Sequence, residues 1–247
     1  MQAKFASALI SILFLTVACL PQRPALADDN HADLLLVLAA DISRSVDEGK
    51  FKLQREGFAN AIADARVIRA MTAGPRGRIA LCFLEWSSEH DQLMIVDWVA
   101  ISGESDARDV ARRIREAPRA FMGRTSISAA IDFGVNQLDR SPFQAPRKVI
   151  NVSGDGTNNS GREVTRARDD ALARNLTING LAILSEVPLA TNPTHTHPPG
   201  GLTAYYENNV IGGPGAFVVE AQSFEAFGQL LVSKLIKEIA EVPRRRF

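Results

Sequence analysis

The chain is short of what several common chemistries require. It has two cysteines in 247 residues, and one of them, Cys19, falls in a leader-like segment. Only Cys82 then remains, inside the apolar run Ile79-Ala80-Leu81-Cys82-Phe83-Leu84. A lone cysteine forms no internal disulfide. With no histidine beside it to act as a base, it reads as a small buried apolar side chain. Lys plus Arg and Asp plus Glu are 28 each, so no net charge draws the chain to nucleic acid or an anionic membrane. The basic cluster Arg244-Arg245-Arg246 reads as a solvated tail. No Gly-x-Gly-x-x-Gly follows a strand, and Gly-x-x-x-x-Gly-Lys-Ser/Thr and Gly-x-Ser-x-Gly do not occur. The dinucleotide fingerprint, the P-loop and the nucleophile elbow are therefore missing.

Residues 1–27 have the form of an export signal: Lys4, an apolar stretch from Ala6 to Leu20, and Ala25-Leu26-Ala27 before Asp28-Asp29. The stretch is short for a membrane span. The expected mature protein is a single domain, 28–247, periplasmic or extracellular, with no transmembrane segment. Lipid anchoring at Cys19 is disfavoured because Thr16 stands where a lipoprotein signal has Leu.

The remaining pattern alternates strands and helices. Strands are expected at 33–40, 78–87, 91–101, 147–153, 177–184 and 216–220. Helices are expected at about 47–70, 105–117, 127–138, 162–174 and 223–241. Ser87-Ser88-Glu89-His90 is too short for a helical crossover, so the second and third strands form an antiparallel hairpin. The expected fold is doubly wound α/β, a mostly parallel six-stranded sheet in the order 3-2-1-4-5-6 with strand 3 antiparallel and helices on both faces. Ligands of such sheets bind where the strand order reverses, beyond the ends of strands 1 and 4. A long connection, 185–215, leaves strand 5 on the same side and is expected to be a solvated surface loop with few core residues.

At that reversal stands Asp41-Ile42-Ser43-Arg44-Ser45, directly after the run Leu34-Leu35-Leu36-Val37-Leu38-Ala39-Ala40. If the backbone stays roughly extended there, one carboxylate and two hydroxyls point to the same side. Three hard oxygens suit Mg²⁺ or Mn²⁺. The segment also reads as a loop capping the next helix. Two distant segments bear on the choice. Thr125, in Gly123-Arg124-Thr125-Ser126, heads a helix, and Asp155, in Asn151-Val152-Ser153-Gly154-Asp155-Gly156, leaves the fourth strand.

Asp41-x-Ser43-x-Ser45, then Thr125, then Asp155 resembles the metal-ion-dependent adhesion site of von Willebrand factor type A domains. The resemblance covers about residues 33–242. The signal, the lone domain and the Asp-Gly after strand 4 further resemble a secreted single-domain branch of that family in proteobacteria. It implies that the two serines and Thr125 hold the metal directly or nearly so, and that one or both aspartates act directly or through water. It implies an exported module that binds rather than catalyses, a protein partner's Asp or Glu filling the vacant position on the metal.

Other constellations compete. Ser43 or Ser45 as a hydrolase nucleophile needs a base, which His195 or His197 could supply from the long connection. His195-x-His197 could itself be a metal pair, although the solvated loop is favoured. Gly154 to Gly161 could cradle phosphate, but an aspartate at its centre repels it, so the segment reads as Asp155 for the metal, then a turn and helix cap. Trp86 and Trp98 read as sheet packing. Arg44 is expected to point away from the metal and pair with an acid.

Overall fold

Every residue of β1 (Leu35–Asp41) is buried, because the strand has helices on both sides. In a computed structural model, which describes residues 30–240, it lies at the centre of a six-stranded sheet. The segment expected to be an export signal, Cys19 and the C-terminal arginines lie outside the described residues. After β1 come α1 (Glu48–Ile62), α2 (Ala65–Thr72), β2 (Ile79–Trp86), β3 (Gln92–Ile101), α3 (Glu104–Glu116) and α4 (Ile127–Arg140). Then follow β4 (Lys148–Gly154), α5 (Val164–Leu172), β5 (Thr177–Ile183), α6 (Pro193–Thr196), α7 (Leu202–Asn209), β6 (Val218–Ala221) and α8 (Phe224–Ala240). The order is β3-β2-β1-β4-β5-β6, with β3 antiparallel to β2 and the other pairs parallel, as the sequence predicts.

Alternation along β1 divides the core. Leu36, Leu38 and Ala40 face the layer of α1, α2, α3 and α8, while Leu35, Val37 and Ala39 face α4, α5 and α7. Asp41 continues the second series.

Two expectations fail. The helix predicted over 47–70 is two helices, broken because the Asp64 carboxylate accepts the Arg66 N–H at 2.8 Å and caps a new N-terminus. The connection 185–215 is not a bare solvated loop. It contains α6 and α7, and Leu202, Tyr206 and Val210 belong to the core. Cys82 is buried on β2, and burial pushes its thiol well above the ordinary range. Trp86 is buried, and the Trp98 indole donates to Gln137 O at 3.2 Å, fastening β3 to α4.

Two buried ionic clusters fix helices to the sheet. Arg55 of α1 grips Glu85 of β2 through two 2.8 Å hydrogen bonds and also donates to the carbonyl of Ala117. It thereby ties down the start of the segment that leads to Thr125. On α8, Lys234 donates to Glu238 at 3.1 Å, and both are fully buried. The Glu238 carboxylate also accepts from Asn151 at 3.2 Å and Asn179 at 2.7 Å, residues paired in register on β4 and β5. Burial lowers the pKa of Lys234.

Candidate metal centre

β1 and β4 lie side by side and run in parallel, so Asp41 ends one strand as Asp155 follows the end of the other. Gly154 allows them to approach. A Cβ there would stand 2.9 Å from Asp41 Oδ2 and 2.7 Å from the Tyr206 hydroxyl.

The chain beyond Asp41 turns instead of staying extended. Asp41 Oδ1 accepts the main-chain N–H of Ser43 at 2.7 Å, and Val46 N–H bonds back to Ser43 O at 3.0 Å. Aspartate favours such a local turn because its side chain reaches the amide two residues on. The turn brings Ser43 Oγ within 3.2 Å of Ser45 Oγ, and Ser45 Oγ donates to Asp155 Oδ1 at 2.5 Å. Four of the five residues expected from the sequence are thus in one contact chain. The loop is clamped from behind: Arg119 donates to the carbonyls of Ile42 and Val46 at 2.8 Å each, and Gln54 donates to Asp41 O at 2.9 Å. Asp47 caps α1, so the capping reading holds beside the clustering of the site residues.

Thr125, the fifth, precedes α4, whose N-cap is Ser126. It shares a cleft of about 250 Å³ with Ser45. Its N–H donates to Asn159 Oδ1 at 2.9 Å, and its carbonyl accepts from Asn159 and Ser160. Asn158 Oδ1 takes the Ser128 N–H at 3.0 Å, an otherwise free amide of the first turn of α4. The segment after Asp155 therefore anchors α4. It does not cap α5, whose N-cap, Glu163, makes no side-chain cap bond.

Asp41 and Asp155 are fully buried, and the Oδ2 atom of each has no hydrogen-bond partner. Burial, and then the charge of Asp155, raises the Asp41 pKa well above the ordinary carboxylate range; burial also raises that of Asp155. Lys50 Nζ, 3.7 Å from Asp155 Oδ2, offsets part of this negative charge. Two buried carboxylate oxygens without a hydrogen bond, one of them facing Lys50, beside clustered hydroxyls fit a small divalent cation. Octahedral bonds of about 2.1 Å place adjacent ligands about 3 Å apart, close to the separation of the two serine hydroxyls. Among the described residues no group of three His, Cys, Asp or Glu could hold a metal, so hydroxyl oxygens are needed here.

His195 corrects the solvated-loop expectation. It is 3% exposed, its Nε2 is 3.1 Å from Thr125 Oγ1, and its Nδ1 is 3.2 Å from Thr157 Oγ1. The Thr157 N–H also donates to His195 O at 2.9 Å. The ring occupies space left by Gly156, where a Cβ would lie 2.2 Å from Nε2. His197 is exposed. Arg44 also departs from expectation: it makes no ion pair among the described residues and lines the mouth of the cleft. Sequence reasoning missed Lys50, Tyr206 and the placement of His195. Their only sequence signal was position on elements that flank or leave the carboxyl ends of the central strands.

Similar folds occur in solved structures. Proximal thread matrix protein 1 of the mussel byssus, in a structure with a zinc-occupied MIDAS motif, superposes with a TM-score of 0.60 at 13% identity, over 86% of this chain and 49% of that one. The pilus adhesin SpaC of Lactobacillus rhamnosus GG gives 0.60 at 13%, over 84% and 31%. A von Willebrand factor type A protein of Catenulispora acidiphila gives 0.55 at 16%, over 84% and 43%. The chain thus spans about half or less of each of these three proteins, and what they share with it is the von Willebrand factor type A fold. A comparison with curated protein sequences found no match. The family model described as protein of unknown function (DUF1194) matches residues 31–243, and the chain belongs to that family.

Proposed function

We propose that this domain is an exported, non-catalytic, divalent-metal-dependent protein-binding module. Asp41, Ser43, Ser45, Thr125 and Asp155 hold Mg²⁺ or Mn²⁺, and a partner's Asp or Glu supplies a further oxygen ligand. The observation that carries this reading is the pair of buried carboxylate oxygens, Asp41 Oδ2 and Asp155 Oδ2, with no hydrogen-bond partner. A bound divalent cation would satisfy both and supply the positive charge that an anionic partner oxygen seeks. The cleft lined by Ser45 and Thr125, at about 250 Å³, is smaller than the roughly 300–1,000 Å³ of small-molecule sites; it suits an inserted side chain. The metal-bearing mussel protein and the pilus adhesin, similar in fold, make the same reading natural, and the leader-like segment at 1–27 supports export. No helix among the described residues is long and apolar enough to cross a membrane.

Calorimetric titration with Mg²⁺ and Mn²⁺, followed by a pull-down from the envelope fraction of the source in Mg²⁺ or EDTA, tests the proposal. Stoichiometric metal binding and EDTA-sensitive capture are expected; capture indifferent to EDTA would overturn it. The hydrolase alternative finds no support in the position of His195, which bonds Thr125 rather than Ser43 or Ser45. Labelling of Ser43 or Ser45 by a fluorophosphonate in the absence of metal would revive it.

A further inference from the structure

We infer that the cleft selects a paired acidic motif in a protein partner: one carboxylate directed at the metal centre, and a second, two residues along an extended segment, held by Arg44 and Arg124. The inference rests on the metal-dependent binding proposed above and specifies the partner that the same site prefers.

The charge of the cleft is divided by depth. Its lining includes both arginines, Ser45 and Thr125 and no Asp or Glu, while the fully buried acids lie behind it, Asp155 in contact with the Ser45 hydroxyl and Asp41 at the end of the neighbouring strand. Both arginines are exposed, and neither has a carboxylate within ion-pair distance among the described residues. Many other surface arginines pair with acids: Arg66, Arg112, Arg115 and Arg162, for example, each have an acidic partner of this chain. Arg69, Arg76, Arg140 and Arg166 are exposed without one among the described residues; what sets Arg44 and Arg124 apart is that both line one cleft.

The two side chains are placed there by the same turns that build the site. Arg44 lies between the two serines whose hydroxyls turn inward, and its own side chain goes to the mouth of the cleft. Its main-chain N–H donates to Gly123 O at 3.0 Å, which sets it beside the segment bearing Arg124. Arg124 is itself steadied: Nη2 donates to Asn159 O at 2.6 Å. Burial, and then the charge of Arg124, lowers the pKa of His195, another residue of the cleft lining.

With a divalent ion below and two guanidinium groups above, a partner offering one carboxylate leaves the cleft positively charged. A second carboxylate matches the planar fork of a guanidinium and neutralises the excess. In an extended segment, alternate side chains point the same way, so the second acid belongs two residues from the first. Met122 and Val187, 54% and 72% exposed, stand on the segments that lead into the cleft lining and offer apolar contact beside this charged pair.

The test uses fluorescein-labelled Gly/Ser peptides with one Asp, or with a second Asp one, two or three positions further on. They are titrated with the mature chain in saturating Mg²⁺ and in EDTA, and binding is read as anisotropy. In Mg²⁺ the peptide with the two-residue spacing is expected to bind about fivefold more tightly than the single-Asp peptide, an advantage that shrinks as NaCl is raised. Arg44→Ala and Arg124→Ala are each expected to cut that ratio by about two- to fivefold. A ratio is insensitive to loss of folded protein, so misfolding of a variant does not imitate the result. Equal Mg²⁺-dependent affinity for one- and two-Asp peptides would overturn the paired-acid inference and leave the metal reading standing. Preference for another spacing would overturn the two-residue geometry. Binding unaltered by EDTA, or none by any peptide, would count against the metal-dependent reading and the inference with it.

Discussion

Asp41→Asn is expected to change protein stability in opposite directions with and without metal. The substitution keeps the shape of the side chain and the acceptor for the Ser43 N–H, held at 2.7 Å. It removes the charge from a fully buried carboxyl whose Oδ2 has no hydrogen-bond partner and which faces the charge of Asp155. A buried polar group without a partner costs about 1–3 kcal/mol, and a charged one more; the amide keeps the first cost and sheds the excess due to burial and the Asp155 charge, so in EDTA at neutral pH the variant is the more stable. Mg²⁺ at 100 times its dissociation constant stabilises the native chain by about 2.7 kcal/mol, and it stabilises the variant by almost nothing. In a domain of this size each kcal/mol moves the melting temperature by roughly 2–4 °C. Melting curves in EDTA and in Mg²⁺ therefore place the variant first above and then below the native chain. The pH dependence carries its own sign. Because the folded pKa of Asp41 is raised, the stability it allows is fully present below the ordinary carboxylate value of about 3.9 and is lost as pH rises through the raised value. In EDTA the advantage of the variant thus grows from acid to neutral pH. A variant less stable than the native chain in EDTA at pH 7, or one that Mg²⁺ stabilises equally, would refute the reasoning.

Three further outcomes are expected. Lys234→Met strands the fully buried Glu238 carboxylate with only its asparagine donors and should cost about 3–5 kcal/mol in urea unfolding; adding Glu238→Gln should recover more than half, and an additive double variant would argue against ionic coupling. Gly156→Ala places a methyl 2.2 Å from His195 Nε2, so it should expel the ring and speed amide exchange across 189–197; unchanged exchange there would mean that the ring tolerates the methyl. Cys82, buried and with its pKa raised, should react with a maleimide only at the rate of unfolding, and rapid labelling of the native chain would place it at the surface.

Much of the fold was readable because burial on two faces leaves a plain signature. The Leu- and Val-rich run into Asp41 and the run Val149-Ile150-Asn151-Val152 could only be inner strands, and a four-residue hairpin link fixed β3 as antiparallel. Four of the five residues expected to share a site lie in contact because of the turn chemistry of Asp41 and strand ends that the topology makes neighbours. What stayed hidden depends on contacts between distant segments. α7, Leu-Thr-Ala-Tyr-Tyr-Glu-Asn-Asn, buries only Leu202 and Tyr206, too few for a helical period to show. His195 is buried because Gly156, 39 positions earlier, leaves room for its ring. Arg44 lacks the expected acid because the fold carries it to a cleft whose lining has no Asp or Glu. The split at Asp64 was available in principle, since an aspartate before Ala-Arg-Val is a cap signal, but the apolar spacing ran across it.

The ionic group beneath α8 works as a detent. Lys234 and Glu238 are one turn apart, and the carboxylate meets the amides of Asn151 and Asn179 on two adjacent strands. Sliding the helix by one turn toward its C-terminal end, about 5.4 Å, would bring the ammonium to where those amides donate, hydrogen facing hydrogen in a buried layer. These contacts therefore favour one axial register of α8 over its one-turn neighbour. Tension along α8 would be borne first by Lys234 and Glu238 against Asn151 and Asn179 of the sheet.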